Sequence, residues 1–348
     1  MIALRWHGRQ DLRLEEVPEP GPPPSGFVNV EVSFCGICGS DVTEYVRGPE
    51  MISSKPHPLS GHVPPVTLGH EFSGRVIAVS EGSEVEIGTR VSADVCWRCG
   101  KCEYCRAGDY HVCRYGGSLG FHSDGAFASQ VQLPEYMLVP LPDEVGDEYG
   151  AMLEPLAVGL HALDRAGLRA GDDLVIFGFG PIGAAAALCA KAQGARALVV
   201  ELSAERLAKA EELGFATLET GADLPRRLRA QLGRGGADVV VESTGAAPVL
   251  AQAIECARRG GRIAMVGLPT SLSEIDQRRL VLFERSAVGA LGYRGDLPRV
   301  AALLAAGNLN LAGIISDIVP LGRAVAALDS LIESPGSKIK VLIQPGGD

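Results

Sequence analysis

The chain has 348 residues, of which 46% are apolar and 21% are charged, and its formal net charge is −10. This length favours two domains with a large buried core. The negative charge disfavours a nucleic-acid partner, because binding to phosphates requires a concentrated basic surface. We see no secretory signal and no apolar run of membrane-spanning length. We therefore expect a cytoplasmic protein with no membrane partner, whose nine cysteines are metal ligands or core residues.

The first part of the chain has the sequence pattern of β-structure. Residues 27–34 place an apolar side chain at every second position, which predicts a half-buried strand. Valine-rich segments at 74–79 and 90–95, separated by glycine, serine and proline, predict further strands. We therefore expect a mainly β domain, with little helix, over about the first 150 residues.

From about residue 154, short apolar strands alternate with helix-forming stretches. This alternation predicts an α/β fold with a doubly wound parallel sheet. Beyond residue 291 the pattern is irregular, and we expect this tail, with its alternating segment 339–343, to return to the first domain. The predicted strands are 174–178, 197–202, 237–242, 262–267 and 287–291, with 216–218 as a weaker sixth, and a helix is predicted at 297–306.

A glycine motif lies between the first of these strands and an alanine-rich helix. Its glycines permit a tight turn, close approach of a pyrophosphate and close helix packing, while the helix N-terminus offers free N–H groups. Because the motif joins a strand to a helix, it predicts a dinucleotide site. The residues of the motif are Gly178, Gly180, Pro181, Ile182 and Gly183.

The next predicted strand contains an acidic residue, Glu201, eighteen residues beyond Gly183. A carboxylate at this point of such a fold binds the adenosine ribose hydroxyls and repels a 2′-phosphate, so NAD is favoured over NADP. Arg206, five residues further on, leaves some room for NADP. The remaining residues expected to contact the cofactor are Thr244, Val266 and Leu268.

Four closely spaced cysteines predict a closed metal site. Two-residue gaps let successive thiolates converge on one tetrahedral ion, and four sulfur ligands leave no open position. We expect a structural zinc that stabilises a loop too small to have its own core. Cys96 precedes Cys99 by a two-residue gap, so spacing leaves a shifted ligand set open, and an iron–sulfur cluster is the alternative to zinc. The four cysteines are Cys99, Cys102, Cys105 and Cys113.

A second, open metal site has candidate ligands in three separate motifs. Cys38 lies in Cys-Gly-Ser-Asp, His70 and Glu71 lie in Gly-His-Glu, and Glu154 lies in Leu-Glu-Pro. A catalytic zinc requires ligands of these types that leave one position for substrate. Taken singly, each residue also has a structural explanation, such as a first-turn helix carboxylate for Glu154.

In their order and approximate spacing these motifs resemble the medium-chain, zinc-dependent alcohol dehydrogenase family along essentially the whole chain. The resemblance implies a six-stranded Rossmann sheet in an NAD-binding domain, residues 156–293. It also implies a mainly β GroES-like catalytic domain, residues 1–155 and 294–348. Among the family's branches the sequence is most similar to the 2,3-butanediol dehydrogenases, with the sorbitol and threonine branches next.

The resemblance also implies the roles of the site residues. Catalytic zinc would be held by Cys38, His70 and Glu154, with Glu71 as an alternative or exchanging ligand. The metal would act as a Lewis acid on the substrate hydroxyl, and hydride would pass to the nicotinamide. Ser40 matches the hydroxyl that accepts the substrate proton.

Two further positions bear on the expected chemistry. Asp41 matches the family's carboxylate that orients His70. Thr43 stands where many relatives have the histidine that ends the proton relay, so a water or another residue must complete proton release. A candidate for that other residue is His57.

We therefore expect a two-zinc, NAD-linked enzyme that acts on a secondary alcohol, with a vicinal diol such as 2,3-butanediol as substrate. A sorbitol-like polyol, a cyclitol and L-threonine are the alternatives, because pocket shape sets specificity. A non-catalytic NAD-binding scaffold is disfavoured by the joint presence of Cys38, Ser40, His70 and Glu154. By analogy with the family, residues 287–291 and the segment after them form a subunit-pairing edge, which predicts a homodimer or homotetramer.

Overall fold

The computed structural model of the protein describes residues 1–269 and 271–346. Its amino-terminal part is mainly β-structure, as the alternating patterns predict, with short 3-10 helices at Tyr110–Val112 and Glu135–Met137. The elements of this part are, in order, β1 (Ile2–Gly8), β2 (Asp11–Glu16), β3 (Phe27–Gly36), α1 (Gly39–Arg47), β4 (Val66–Thr67), β5 (Glu71–Val79), β6 (Arg90–Ala93), β7 (Cys96–Trp97), α2 (Glu103–Arg106), β8 (Gly117–Ser118), β9 (Gln130–Pro134), β10 (Leu138–Pro140) and α3 (Asp147–Gly150).

The rest of the chain alternates helices and strands. A further 3-10 helix lies at Leu321–Arg323, and none of the described helices is long and apolar enough to cross a bilayer. The elements are α4 (Leu153–Arg165), β11 (Asp173–Phe177), α5 (Pro181–Ala192), β12 (Arg196–Glu201), α6 (Ala204–Glu212), β13 (Ala216–Glu219), α7 (Leu224–Leu232), β14 (Ala237–Glu242), α8 (Ala247–Cys256), β15 (Ala257–Met265), α9 (Gln277–Val281), β16 (Ser286–Gly289), α10 (Leu297–Ala305), β17 (Ile315–Pro320), α11 (Ala324–Glu333) and β18 (Lys340–Gln344).

Six of these strands form one all-parallel sheet in the order β13-β12-β11-β14-β15-β16. Every residue of the central strands β11 and β14 is buried, which explains their continuous apolar runs. β12 and β13 lie on one side of β11, and β14, β15 and β16 lie on the other. Open α/β sheets bind ligands at such a reversal of strand order. The predicted doubly wound, six-stranded sheet is confirmed, including its weak strand β13.

A second sheet of seven strands is assembled around β3. Its order is β10-β6-β5-β3-β18-β17, and β9 also pairs with β3. β18, close to the carboxyl end, runs antiparallel to β3 and parallel to β17. The tail therefore joins the sheet that the first residues build, so residues more than 300 positions apart in the chain meet beside β3.

Several element bounds differ from those that periodicity predicts. β5 begins at Glu71, three residues before the predicted start, because polar residues continue the strand pairing with β3. β15 begins at Ala257, five residues early, with exposed Arg259 and Gly260 in the strand. The helix α1 has few apolar residues and was not predicted. In β5 and α1 hydrogen bonding extends beyond the apolar pattern, whereas the start of β15 contains a register shift between Ala257 and Arg262.

Candidate active site

The pairing of β3 with β5 brings the separate sequence motifs together. Gly36, the last residue of β3, lies opposite Glu71, the first residue of β5. Cys38 follows two residues after Gly36, and His70 immediately precedes Glu71. One ligand atom each of Cys38, His70 and Glu71 lies within 4.8 Å of the others. We call these three residues the Cys38 cluster.

The helix that follows Cys38 fixes the side chains beside the cluster. The backbone N–H of Cys38 donates to Asp41 Oδ2 at 2.9 Å, and Asp41 Oδ1 lies 3.6 Å from His70 Nδ1. Ser40 Oγ lies 3.4 Å from His70 Nε2, on the other side of the ring. Burial opposes protonation of His70, but the carboxylate of Asp41 prevails and raises the pKa of His70 well above its usual value.

Glu71 is held by a residue that sequence reasoning missed. Lys340 Nζ, at the start of β18, lies 2.5 Å from Glu71 Oε2 and donates to Ile37 O at 2.9 Å. A Cβ on Gly36 would lie 2.3 Å from Glu71 Oε2, so a residue with a side chain there would displace this carboxylate. No motif marks Lys340, and only the alternating segment 339–343 indicated that this part of the chain is buried.

Glu154 lies in the first turn of α4 and is buried, but it is not a member of the Cys38 cluster. Burial and the nearby carboxylate of Glu71 raise the pKa of Glu154 to about 7. The structure therefore places two acidic side chains near one imidazole and one thiol.

Thr43 and His57 bear on proton release. The Thr43 hydroxyl donates to Gly39 O at 2.9 Å, within α1. His57 Nε2 lies 3.2 Å from Gly116 O, and its ring centroid lies 4.8 Å from that of His122, with the two rings tilted by 57°. His57 therefore contacts the base of the cysteine-rich loop and makes no contact of this kind with Cys38 or His70.

The four cysteines of the predicted closed site form one group, which we call the lobe cluster. One ligand atom of each lies within 4.8 Å of the others, with Sγ–Sγ distances of 3.9 Å for Cys99–Cys105 and 3.8 Å for Cys102–Cys113. Backbone N–H groups of Cys105 and Arg114 lower the pKa of Cys102 to about 6, while partial burial and neighbouring thiols raise that of Cys105 to about 12. Cys96 lies outside the group, against Asp94.

The donor types of both clusters suit zinc. Four thiols fit a closed tetrahedral site, whereas one thiol, one imidazole and one carboxylate fit a site with an open position. Among the described residues, buried Glu71 Oε1 has no hydrogen-bond partner. A buried carboxylate oxygen without a partner is costly, and a bound cation would satisfy it.

The glycine motif has the geometry of a dinucleotide-binding turn. Gly178 has φ +91°, and a Cβ on Gly183 would lie 1.9 Å from Gly178 O, so close packing of α5 on the turn requires glycine. Gly180 caps α5, which begins at Pro181; because proline has no N–H, the free N–H groups of the first turn are those of Ile182 and Gly183. The motif therefore meets the requirements of a pyrophosphate site.

The two predicted ribose-side residues lie beside this turn. Glu201 accepts hydrogen bonds from Phe179 N at 2.7 Å and from Leu202 N at 2.6 Å. Arg206 Nη1 lies 3.9 Å from Glu201 Oε2, and a Cβ on Gly180 would lie 3.7 Å from the same nitrogen. Both side chains are thus placed at the mouth of the glycine turn.

The other predicted cofactor contacts lie at the carboxyl ends of neighbouring strands. A Cβ on Gly178 would lie 2.9 Å from Thr244 Cγ2, so Thr244 packs against the glycine turn. Val266 and Leu268 line a cleft of about 650 Å³ between these strand ends and the cysteine-rich loop. A cleft of this size accommodates a small molecule.

Comparison with known proteins identifies the family. Residues 24–143 match the alcohol dehydrogenase GroES-like domain, and residues 181–306 match the zinc-binding dehydrogenase domain. The chain is 37% identical over 351 residues to (R,R)-butanediol dehydrogenase of Bacillus subtilis, covering 99% of this chain and 100% of the relative. The chain belongs to the zinc-binding dehydrogenase family. It is a zinc-dependent NAD(P) dehydrogenase that acts on the CH–OH group of a small alcohol or polyol.

Other members of the family show how wide its substrate range is. The chain is 34% identical to sorbitol dehydrogenase of Halalkalibacterium halodurans, over 99% of this chain and 98% of the relative. The crystal structure of 2R,3R-butanediol dehydrogenase from Bacillus subtilis superposes with a TM-score of 0.92 at 36% identity, covering 99% of each chain. An Escherichia coli alcohol dehydrogenase complexed with NADH gives a TM-score of 0.88 at 26% identity, also covering 99% of each chain.

Proposed function

We propose that the protein oxidises a vicinal diol such as 2,3-butanediol to the hydroxyketone, with NAD as hydride acceptor and one zinc ion in each cluster. The observation that carries this proposal is the Cys38 cluster, in which three donors from two sequence motifs lie within 4.8 Å of one another. The cluster has a second carboxylate, Glu154, nearby and a hydroxyl, Ser40, beside the imidazole. These groups together are those that alcohol oxidation requires.

The chain's own residues have distinct roles in this proposal. Cys38, His70 and Glu154 would hold the catalytic ion, and Glu71, which pairs with Lys340, would be the alternative ligand. The ion supplies Lewis acidity that lowers the pKa of the substrate hydroxyl. Ser40 accepts the substrate proton, and Asp41 orients the ring of His70. Because the Thr43 hydroxyl already donates to Gly39 O, we infer that a water molecule carries the proton from Ser40 to solvent.

NAD is the preferred cofactor in this proposal. The Glu201 carboxylate is buried and fixed by backbone N–H groups at the glycine turn, where a 2′-phosphate would meet a second negative charge. Nη2 of Arg206 already donates to the carbonyls of Pro335 and Lys338, so fewer of its donors remain for a phosphate. The measurement is the ratio of kcat/KM for NAD and NADP, with at least a tenfold preference for NAD expected.

Sorbitol-like polyols are the second candidate substrates. The observation in their favour is the similarity to a sorbitol dehydrogenase, at an identity close to that with the butanediol enzyme. NADH formation should be measured with 2,3-butanediol stereoisomers, sorbitol, a cyclitol, L-threonine and simple alcohols, with and without a zinc chelator. The highest kcat/KM for a butanediol isomer supports the proposal. Chelator-resistant activity, or a preference for sorbitol, contradicts it.

We also propose the domain division and a dimer. Residues 1–155 and 294–348 are assigned to the catalytic domain and 156–293 to the NAD-binding domain, because the strands of each range pair mainly within their own sheet. β16 ends the parallel sheet, and no other strand of the described residues pairs with its outer edge. Exposed apolar side chains lie close to β16 in the chain, among them Val281, Leu282 and Leu291.

The dimer is tested by molar mass in solution. Light scattering on the purified protein should give at least twice the chain mass of 36.4 kDa. Leu282→Glu should shift the protein towards the monomer, because it places charge on the proposed apolar contact. A wild-type protein that is a monomer at micromolar concentration contradicts this assignment.

A further inference from the structure

A short segment of the tail contacts two regions. One is helix α6, which follows Glu201, and the other is the Cys38 cluster. We call residues 335–340 the tail segment. Arg206 Nη2, on α6, donates to Pro335 O and to Lys338 O, the latter at 3.1 Å. Ser203 Oγ, also at the start of α6, lies 3.3 Å from Gly336 O. One end of the tail segment is therefore held by the helix that follows Glu201.

The other end of the tail segment is held at the Cys38 cluster. Lys340 forms the buried ion pair with Glu71 and donates to Ile37 O. Between the ends, Ile339 N donates to Ser316 Oγ at 2.9 Å and Lys338 Nζ lies 3.1 Å from Asp317 Oδ2. Lys338 and Lys340 are two residues apart, so a shift at the first changes the position of the second by chain connectivity.

The guanidinium of Arg206 has donors left for a ligand. Its Nη1 lies beside Gly180 and 3.9 Å from Glu201, at the proposed ribose position. Its Nε is buried and, within the part of the chain that the structure describes, has no hydrogen-bond partner. A buried N–H without a partner is costly, so an acceptor at this position would be bound favourably.

We propose that Arg206 is a positioning residue that couples dinucleotide binding to the Cys38 cluster through the tail segment. This inference rests on the proposed function. A cofactor hydroxyl that accepts from Arg206 fixes the guanidinium, and the guanidinium fixes the carbonyls of Pro335 and Lys338. Lys340 is thereby held on Glu71, and the Cys38 cluster becomes less mobile. A less mobile cluster releases its metal ion more slowly.

Thermodynamic linkage makes this coupling reciprocal. If bound dinucleotide tightens metal binding by some factor, the metal tightens dinucleotide binding by the same factor. A factor of about ten is typical of such coupling between sites. Because the less mobile cluster releases its ion more slowly, we expect a coupling of this size to appear in the rate of zinc loss, which saturating NADH should slow about tenfold.

The experiment measures metal loss and backbone exchange and does not depend on activity. Zinc transfer from the holoenzyme to excess chelator is followed with and without NADH, and hydrogen exchange is followed over residues 335–344. The zinc of the lobe cluster is distinguished by a parallel measurement on Cys38→Ser, which retains only that ion. In the wild type, NADH should slow both zinc loss from the Cys38 cluster and exchange in the tail segment.

Two variants test the coupling through the tail segment, and a third variant serves as a matched control. Arg206→Met should bind NADH more weakly, but at saturation NADH should change zinc loss less than about twofold and leave tail exchange unchanged. Ser203→Ala removes one anchor without touching the guanidinium and should reduce the NADH effect by at least about twofold. Arg227→Met removes an arginine on α7 that also donates to a backbone carbonyl, that of Glu219, and it should keep the full wild-type effect.

The outcomes separate this inference from the proposed function. Persistence of the NADH effect in Arg206→Met, or wild-type tail exchange that is insensitive to NADH, overturns the coupling. A wild-type protein that binds no NADH overturns the proposed function itself. Should Arg206→Met fail to fold, an unchanged NADH effect in Ser203→Ala also overturns the coupling.

Discussion

The lobe cluster and the Cys38 cluster are both built from side chains that zinc prefers, yet they are assembled in different ways. The four thiols of the lobe come from fifteen consecutive residues, Cys99–Cys113, and two backbone N–H groups lower the pKa of Cys102 to about 6. The Cys38 cluster combines Cys38 from the loop after β3 with His70 just before β5 and Glu71 at its start, and Lys340 is added from the far end of the chain.

The difference teaches how a closed and an open metal site are specified. The lobe needs only local spacing, because neighbouring thiols can close around an ion without support from a core. The Cys38 cluster must keep a coordination position free, so its ligands have to be held by surrounding structure. Asp41 on His70 and Lys340 on Glu71 supply that support here.

The largest expected effect is the loss of turnover when one ligand of the open site is removed. Cys38→Ser should lower kcat by about 1,000-fold or more, because the ion that polarises the substrate is lost. Zinc content should fall from two ions to one, while the thermal unfolding midpoint changes little. If the variant held two zinc ions per chain and had normal turnover, Cys38 would not be a ligand of the catalytic ion.

Removing a ligand of the lobe cluster should lower stability and leave turnover nearly unchanged. Cys113→Ser should lower the free energy of unfolding by about 3 kcal/mol, since the loop loses the ion that stabilises it. The unfolding midpoint in a thermal scan is the measurement, and kcat per folded molecule should stay within about threefold of wild type. A variant with unchanged stability but abolished turnover would reverse the roles assigned to the two clusters.

A smaller effect on turnover is expected at the hydroxyl beside the open site. Ser40→Ala should reduce kcat by about 100-fold, because proton acceptance is lost while the metal ligands remain. NADH affinity, measured by fluorescence titration, should stay within about twofold of wild type. Equal turnover in the two proteins would exclude Ser40 from proton transfer.

The smallest expected effect concerns His122. This residue lies beside His57 and accepts a hydrogen bond from the backbone N–H of Ser118. Burial and the neighbouring His57 lower the pKa of His122 to about 4. A histidine with a lowered folded pKa is neutral in the native state but protonated in the unfolded chain, so stability is full above about pH 6.5 and declines as the pH falls towards 4. The loss should be about 1–2 kcal/mol, since partial exposure screens the effect.

Urea unfolding at pH 7 and pH 5 measures this decline. His122→Asn keeps an acceptor for the backbone N–H of Ser118, which now donates to His122 Nδ1 at 3.0 Å. The variant should show a shallower dependence on pH than the wild type. Parallel pH profiles of the two proteins would show that His122 does not account for the decline.

The fold could be predicted in large part from the sequence. Apolar runs such as that of β14 and the spacing of Gly178 to Gly183 depend on neighbours along the chain, so they predict the parallel sheet and the turn after β11. The helix α1 could not be predicted in this way, because its residues are mostly polar and its position follows from Cys38 and Asp41. Element bounds failed where hydrogen bonding continued past the apolar pattern.

For the metal sites, the sequence by itself determined the lobe cluster and named the candidates Cys38, His70, Glu71 and Glu154, because these are residue types with characteristic local spacing. Only the tertiary structure decided that Glu71 lies inside the Cys38 cluster, that Lys340 pairs with it and that Arg206 holds the tail segment. The physical reason is that the pairing of β3 with β5 and with β18 sets the first two contacts, whereas the contact of α6 with the tail segment sets the third. The contacts of β18 with β3 and of Lys340 with Glu71 join residues more than 200 positions apart, a distance over which no local pattern carries information.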